Sequence, residues 1–313
     1  MHPWLTRPLD RMVLRLAAAA MPEGELRTGT GPGLEAMLED PMEEIARTPA
    51  PMPSLRLSGR CGFSFPSPVT TPWEGNNTVY GSLYRCGGDW RGRRTAILVH
   101  GWNDGLGYAL RQPLVAKELN RLGVNAARIC LPCHGPRRPR EPGAMRDFLA
   151  GDPPHMLQAV AQAVSEIRSL AKWLRENAQA PVGVWGVSLG GWLCGLAARL
   201  EDALDFAVLV TPVVDLERAV RELPICRVIR TGLERRPARL RPLFLGAGKP
   251  RLSPERILLV AGRHDLFVPV ETVESLAGAW RGSSFRCIDH GHISAGFSIR
   301  WNRWIARWVS SLP

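Results

Sequence analysis

The sequence predicts an α/β protein organised on a mainly parallel sheet, and three observations carry that prediction. Several segments are apolar almost from end to end, among them TAILV at 95–99, PVGVWG at 181–186, FAVLVTPVV at 206–214 and ILLVAG at 257–262; strands buried on both faces have that composition. Stretches of helical periodicity separate most of these runs, so successive strands are joined by crossovers and run parallel. At 313 residues the chain can bury a sizeable core beneath such a sheet.

In chain order, residues 1 to about 55 start as a helix, turn Pro- and Gly-rich and end in TPAPMPSLRL; 1–55 reads as an extension and 56–313 as the main domain. Two strand-like runs follow, LRLSGRCGFSF and NTVYGSLYRC, separated by a turn region of Pro, Gly and Asn. TAILV ends in His100-Gly101-Trp102. A helix near 107–122 leads to the strand VNAARICL, after which a polar, Pro-rich loop, GPRRPREPGAMRDFLAG, breaks the rhythm. A long amphipathic helix near 155–178 precedes PVGVWG, and a helix over 189–200 connects it to FAVLVTPVV. Residues 215–256 are an insertion carrying eleven Lys/Arg against five Asp/Glu. ILLVAG, a helix near 270–281, the strand SFRCID and a C-terminal helix with Trp301, Trp304 and Trp308 complete the chain.

Composition narrows the function classes. With 45% apolar and 22% charged residues the chain is ordinary for a globular protein, and no apolar run approaches the roughly 18 residues of a membrane span. The segment AAAA near the N-terminus resembles a signal-peptide cleavage region, but Asp10, Arg11 and Arg15 interrupt any apolar core, so the segment reads as retained. Seven cysteines without framework spacing point to a reduced, cytoplasmic setting. Cys130 and Cys133 in CLPCHG have redox-motif spacing and His134 adds a third ligand type, yet nothing completes a four-ligand site, so no metal is expected. The net charge of +11 comes from 37 arginines and three lysines and favours anions at long range. No zinc finger, RNP-like motif or lysine-rich tail accompanies it, so nucleic acid is not an expected partner.

The segment most informative about function is VGVWGVSLGGW (182–192), a Gly-x-Ser-x-Gly between a buried strand and a helix rich in Leu and Ala. A serine hydroxyl is a weak nucleophile. It must sit where a base can reach it and where a developing oxyanion meets donors, and a sharp strand-to-helix turn provides both. Gly186 and Gly190 lack the Cβ atoms that would collide across that turn, and the helix N-terminus directs N–H groups at Ser188. The plainer alternative is a structural serine at a helix N-cap. In HGWN (100–103), the loop after the first buried strand offers a second donor; tetrahedral intermediates need about two, and Leu189 and Trp102 are the candidates, with His100 as scaffold.

Asp265 in GRHDLFVP (262–269) stands at a strand end, where a carboxylate can orient an imidazole and stabilise the imidazolium. Asp215, which also follows an apolar run, is its rival. CIDHGHIS (287–294) places two histidines beyond the last strand. The imidazole that swings over the nucleophile is expected after the glycine that turns the chain, which favours His292; His290 remains the second candidate.

Taken in order, HGWN, GVSLGG, GRHDLFVP and DHGHIS give the chain a resemblance to the α/β-hydrolase family of serine esterases, lipases and acyl hydrolases, over roughly residues 60–313. The resemblance implies the α/β-hydrolase fold, an eight-stranded, mostly parallel sheet with helices on both faces and a triad at the C-terminal strand ends. It implies Ser188 as nucleophile, Asp265 as acid, His292 as base, and Trp102 and Leu189 as oxyanion donors, with no metal or organic cofactor. Haloalkane dehalogenases and epoxide hydrolases carry aspartate where Ser188 stands, which argues against those chemistries. The implied activity is cleavage of a small-molecule carboxylic ester or thioester through an acyl-enzyme.

Insertions at the position of 216–256 commonly form a helical cap in this family. Its apolar residues, among them Leu216, Leu223 and Ile225, could line an acyl pocket with a basic rim, or the segment could be a solvated decoration. The N-terminal helix, with Trp4, Leu5, Leu9, Met12, Leu14 and Leu16, could make peripheral membrane contact, although packing on the domain or on another subunit is the favoured reading. The competing class is a catalytically inactive hydrolase fold used as an interaction module. A C–C bond hydrolase or an acyltransferase would use the same residues. LPCHGPRRPRE carries no role legible in the sequence.

Overall fold

Residues 3–19, 32–140, 148–149 and 151–313 are described by the structure, a computed structural model. The stretches 20–31 and 141–147, in the extension and in the Pro-rich loop, lie outside them, as do the side chains of Trp4 and Leu5. The apolar runs lie at the centre of one sheet. Its strands are β1 (Arg56–Ser58), β2 (Gly62–Pro66), β3 (Thr78–Tyr84), β4 (Thr95–Val99), β5 (Asn125–Ile129), β6 (Val182–Val187), β7 (Phe206–Val210), β8 (Ile257–Gly262) and β9 (Ser284–Ile288), in the order β1-β2-β3-β5-β4-β6-β7-β8-β9. β1 to β3 pair antiparallel, as do β3 and β5; from β5 to β9 every pairing is parallel. Every residue of β4, β6, β7 and β8 is buried, as largely apolar strands between two helical layers must be.

The sheet has one strand more than the eight expected. LRLSGRCGFSF is a hairpin, not a single strand: Arg56–Ser58 folds back on Gly62–Ser64 about Gly59, which has φ +54. That added strand lies at the edge, remote from the C-terminal ends of β4, β6 and β8.

The helices are α1 (Pro3–Ala19), α2 (Pro32–Glu39), α3 (Pro41–Arg47), α4 (Gln112–Arg121), α5 (Pro153–Ala178), α6 (Leu189–Leu200), α7 (Leu216–Glu222), α8 (Arg227–Arg235), α9 (Val270–Ala279), α10 (His292–Phe297) and α11 (Ile299–Ser311). The two-residue period of a strand sends alternate side chains to opposite layers. In β4, Ala96 and Leu98 join α4 and α11 through Val115, Leu119, Ile305 and Val309, while Ile97 and Val99 join α5 and α6 through Ile167, Leu170, Leu193 and Leu196. Met37, Leu38 and Ile45 of α2 and α3 belong to that second cluster, so the described part of the extension shares the main core. The helix expected near 107–122 opens as a π turn over Gly107–Arg111 before α4.

Candidate active site

Because β4, β6, β8 and β9 run parallel, the loops that leave their C-terminal ends converge at one edge of the sheet. Ser188 sits between β6 and α6 with φ 55 and ψ −120, a strained conformation for a residue with a side chain. The flanking glycines are required by space: a Cβ at Gly186 would lie 2.2 Å from the Gly190 carbonyl oxygen, and one at Gly190 would lie 2.4 Å from that of His100. The turn is therefore as tight as the GVSLGG pattern suggests.

Ser188 Oγ lies 2.8 Å from His292 Nε2, and His292 Nδ1 lies 2.8 Å from Asp265 Oδ2. With Nδ1–H donating to the carboxylate, Nε2 is left to accept from the serine hydroxyl. Asp265 is itself held, because its Oδ1 accepts from the Phe267 N–H at 2.7 Å and the Val268 N–H at 2.8 Å. The Phe267 ring stacks on His292 with centroids 4.4 Å apart. Burial, the strongest single influence on His292, disfavours its imidazolium; the charge and hydrogen bond of Asp265, with Asp10 and Asp104 behind them, outweigh it and raise the histidine above its ordinary pKa.

The rival candidates stand elsewhere. His290 directs Nδ1 to Ser294 Oγ at 3.2 Å, and burial lowers its pKa. Asp215 caps α7, accepting from the Arg218 N–H at 3.0 Å, and faces a neighbouring cleft. The glycine between the histidines does not serve as the turn expected of it. Gly291 is extended, with φ −87 and ψ −175, and its lack of a Cβ matters because one would lie 2.7 Å from Asp10 Oδ2.

A cavity of about 300 Å³ opens over Ser188. Gly101, Trp102 and Leu189 line it beside Ser188 and His292, and its remaining walls are mostly apolar. The 216–256 insertion contributes Leu216, Ala219, Leu223, Ile225 and Cys226 to those walls; burial pushes the Cys226 thiol up to about 12. Ile229 and Leu240 of the same insertion are buried in the core instead, so only its first part faces the cavity.

A sequence model described as the alpha/beta hydrolase family matches residues 96–307. The chain belongs to that family. The chain is similar to the uncharacterized proteins Rv2627c and MT2702 of two Mycobacterium tuberculosis strains, each 36% identical over 152 residues, a match covering 46% of this chain and 34% of theirs. The match thus spans about a third of the length of those relatives. Among solved structures, an acetyl xylan esterase from Paenibacillus sp. R4 superimposes with TM-score 0.61 at 16% identity, covering 95% of this chain and 98% of that one. A Pyrococcus furiosus esterase, Pf2001, does so with TM-score 0.54 at 17% identity over 76% and 87%, and Est1E from Butyrivibrio proteoclasticus with bound ferulic acid with TM-score 0.53 at 15% identity over 74% and 93%. At these identities the likeness is one of α/β-hydrolase fold.

Three side chains at this site are not marked as site residues by the sequence. His134, in the LPCHG stretch, accepts from the Asn103 N–H through Nε2 at 2.9 Å and donates from Nδ1 to the Pro132 carbonyl at 2.8 Å. It thereby braces the 101–104 loop at Asn103, a residue with φ 48. His100 packs edge-on against it, 4.8 Å between centroids, and accepts from the Leu131 N–H at 3.1 Å. Burial, then the neighbouring His134, holds His100 well below the ordinary histidine pKa, so it is neutral. Asp104 accepts from the Gly101 N–H at 3.3 Å and pairs with Arg111 at 2.5 Å. Asp10, from α1, is the third and reaches the His292 loop. Cys130 and Cys133 are buried thiols, and burial pushes that of Cys130 up to about 11. Among the described residues no group of His, Cys, Asp and Glu is disposed to hold a metal, and no helix is long and apolar enough to cross a membrane.

Proposed function

We propose that the protein is a serine hydrolase that cleaves a carboxylic ester or thioester through an acyl-enzyme on Ser188. The observation that carries this reading is the unbroken chain Asp265–His292–Ser188, with 2.8 Å at both links. Ser188 Oγ attacks the substrate carbonyl carbon while its proton passes to His292 Nε2. The imidazolium so formed is stabilised by Asp265. The oxyanion is received by the main-chain N–H groups of Leu189 and Trp102, where loss of one donor costs about 10²- to 10³-fold in rate. Collapse expels the alcohol or thiol, which takes the proton from His292, and water activated at the same nitrogen releases the acid.

Structural neighbours that are esterases support an ester as substrate. The apolar lining and the modest volume of the cavity support a small-molecule substrate with an apolar acyl or alcohol group. Seven cysteines held as thiols support the reducing, cytoplasmic setting. The wild-type protein is expected to hydrolyse p-nitrophenyl esters in the acetate-to-octanoate range, and Ser188→Ala to fall to the uncatalysed background. Wild-type protein inert toward all of these esters and toward acyl thioesters would favour the interaction-module reading instead.

A further inference from the structure

α1 lies against the site with one acidic side chain, and that side chain is fully buried: Asp10 has 0% exposure. Its Oδ2 accepts from the His292 N–H at 2.7 Å and from the Leu266 N–H at 3.2 Å, and its Oδ1 accepts from the Ile293 N–H at 3.1 Å. One carboxylate therefore ties together the main chains of the loop bearing His292 and the loop bearing Asp265. Gly291 leaves the space for it, since any side chain there would meet Asp10. Val13 and Ala17, three and seven residues further along the helix and so on the same side, line the cavity over Ser188.

A buried carboxylate is a costly way to fasten a helix, because apolar contacts would do so without desolvating a charge. Burial pushes the Asp10 carboxyl up, against the two hydrogen bonds from His292 and Ile293 that lower it. What the carboxylate does that an apolar contact cannot is to fix three N–H groups flanking the base and the acid, with a negative charge close to the imidazolium. A base misplaced by about 1 Å can lose on the order of 10²-fold in rate.

We infer that Asp10 is a positioning residue for His292 and Asp265, so that the N-terminal helix completes the active site. This rests on the serine-hydrolase reading above. The variant Asp10→Asn keeps the shape but turns one acceptor oxygen into a donor facing a main-chain N–H; Asp10→Ala removes both acceptors. Wild type and both variants are compared by thermal melting, by kcat and KM on p-nitrophenyl acetate, and by the rate of fluorophosphonate labelling at Ser188. The low-field proton signal of the His292 Nδ1–H···Asp265 bond is followed by NMR.

In the folded variants kcat and labelling rate are expected to fall about 10²-fold, KM to change by less than about threefold, and the low-field signal to broaden or vanish. A folded variant with kcat within about threefold of wild type, or with an unchanged low-field signal, overturns the inference and leaves the serine reading standing. Failure of both variants to fold overturns it too, by making Asp10 a structural anchor. Wild-type protein that is not labelled at Ser188 removes both readings together.

Discussion

Two loops face Ser188, and they are braced by opposite electrostatics. The 101–104 loop rests on His134 and on a neutral, buried His100, and its one carboxylate, Asp104, is paired with Arg111. The loop bearing His292 is held by two carboxylates, Asp265 at the imidazole and Asp10 at the main chain. The difference follows the charge that each side would have to receive. A tetrahedral oxyanion at the proposed donors, Trp102 and Leu189, would be stabilised by N–H groups and opposed by an uncompensated negative group. An imidazolium at His292 is stabilised by just such groups.

The largest expected effect tests which imidazole belongs to that arrangement. His292→Ala is expected to lower kcat by about 10⁴-fold or more, while His290→Ala, whose ring contacts Ser294 and not Ser188, should stay within a few-fold of wild type. Steady-state kinetics on a p-nitrophenyl ester decides between them, and the reverse order of effects would break the comparison at its centre.

A smaller loss is expected on the oxyanion side. His134→Phe keeps a ring of similar size but cannot accept from the Asn103 N–H, so the donor loop loses its brace; kcat should fall about 10- to 10²-fold. His134→Gln, which retains an acceptor, should recover part of that loss. Equal rates in both variants would mean that His134 contributes packing alone.

The pH profile sharpens the contrast. His292 must be neutral to accept the serine proton, and its pKa is raised, so kcat/KM should fall as pH drops through a value above about 6.5. Asp265→Asn removes the first favourable influence and should move that acid limb to lower pH while reducing the rate. His100, neutral to well below the same range, should add no limb of its own. An acid limb below about 6 in wild type would contradict the account of His292.

The smallest effect concerns the rival acid. Asp215 caps α7, so Asp215→Ala is expected to cost about 1 kcal/mol of stability, measured by denaturant unfolding, with kcat little changed.

The parts of this molecule that could be read from sequence are those whose physics is local. A strand with almost no polar residue and a turn with glycine on both sides of a serine declare themselves within a few positions. TAILV, VGVWGV, FAVLV and ILLVAG accordingly became the buried centre of the sheet. Ser188, Asp265 and His292, chosen from motif order, are residues the fold brings into contact. What escaped was nonlocal. Asp10 acts on a main-chain N–H 282 positions away, and nothing near it but its isolation as the one acid of an arginine-rich helix marks it. His134 meets Asn103 across 31 positions, which left LPCHG without a role until the loops were in place. Gly291 was read as a turn because glycine commonly permits one, whereas its neighbour in space, Asp10, is what excludes a side chain. The β1–β2 hairpin was missed because its turn, Gly59 to Cys61, sits inside a run that otherwise alternates like a single strand.

Ser188 Oγ is proposed to be a nucleophile activated by His292. The most direct test of that role is to treat the wild-type protein with a fluorophosphonate and map the adduct by peptide mass spectrometry. A single adduct is expected on the peptide containing Ser188, absent from Ser188→Ala and formed far more slowly in His292→Ala. An adduct on a different residue, or labelling that proceeds equally fast without the His292 imidazole, would contradict it.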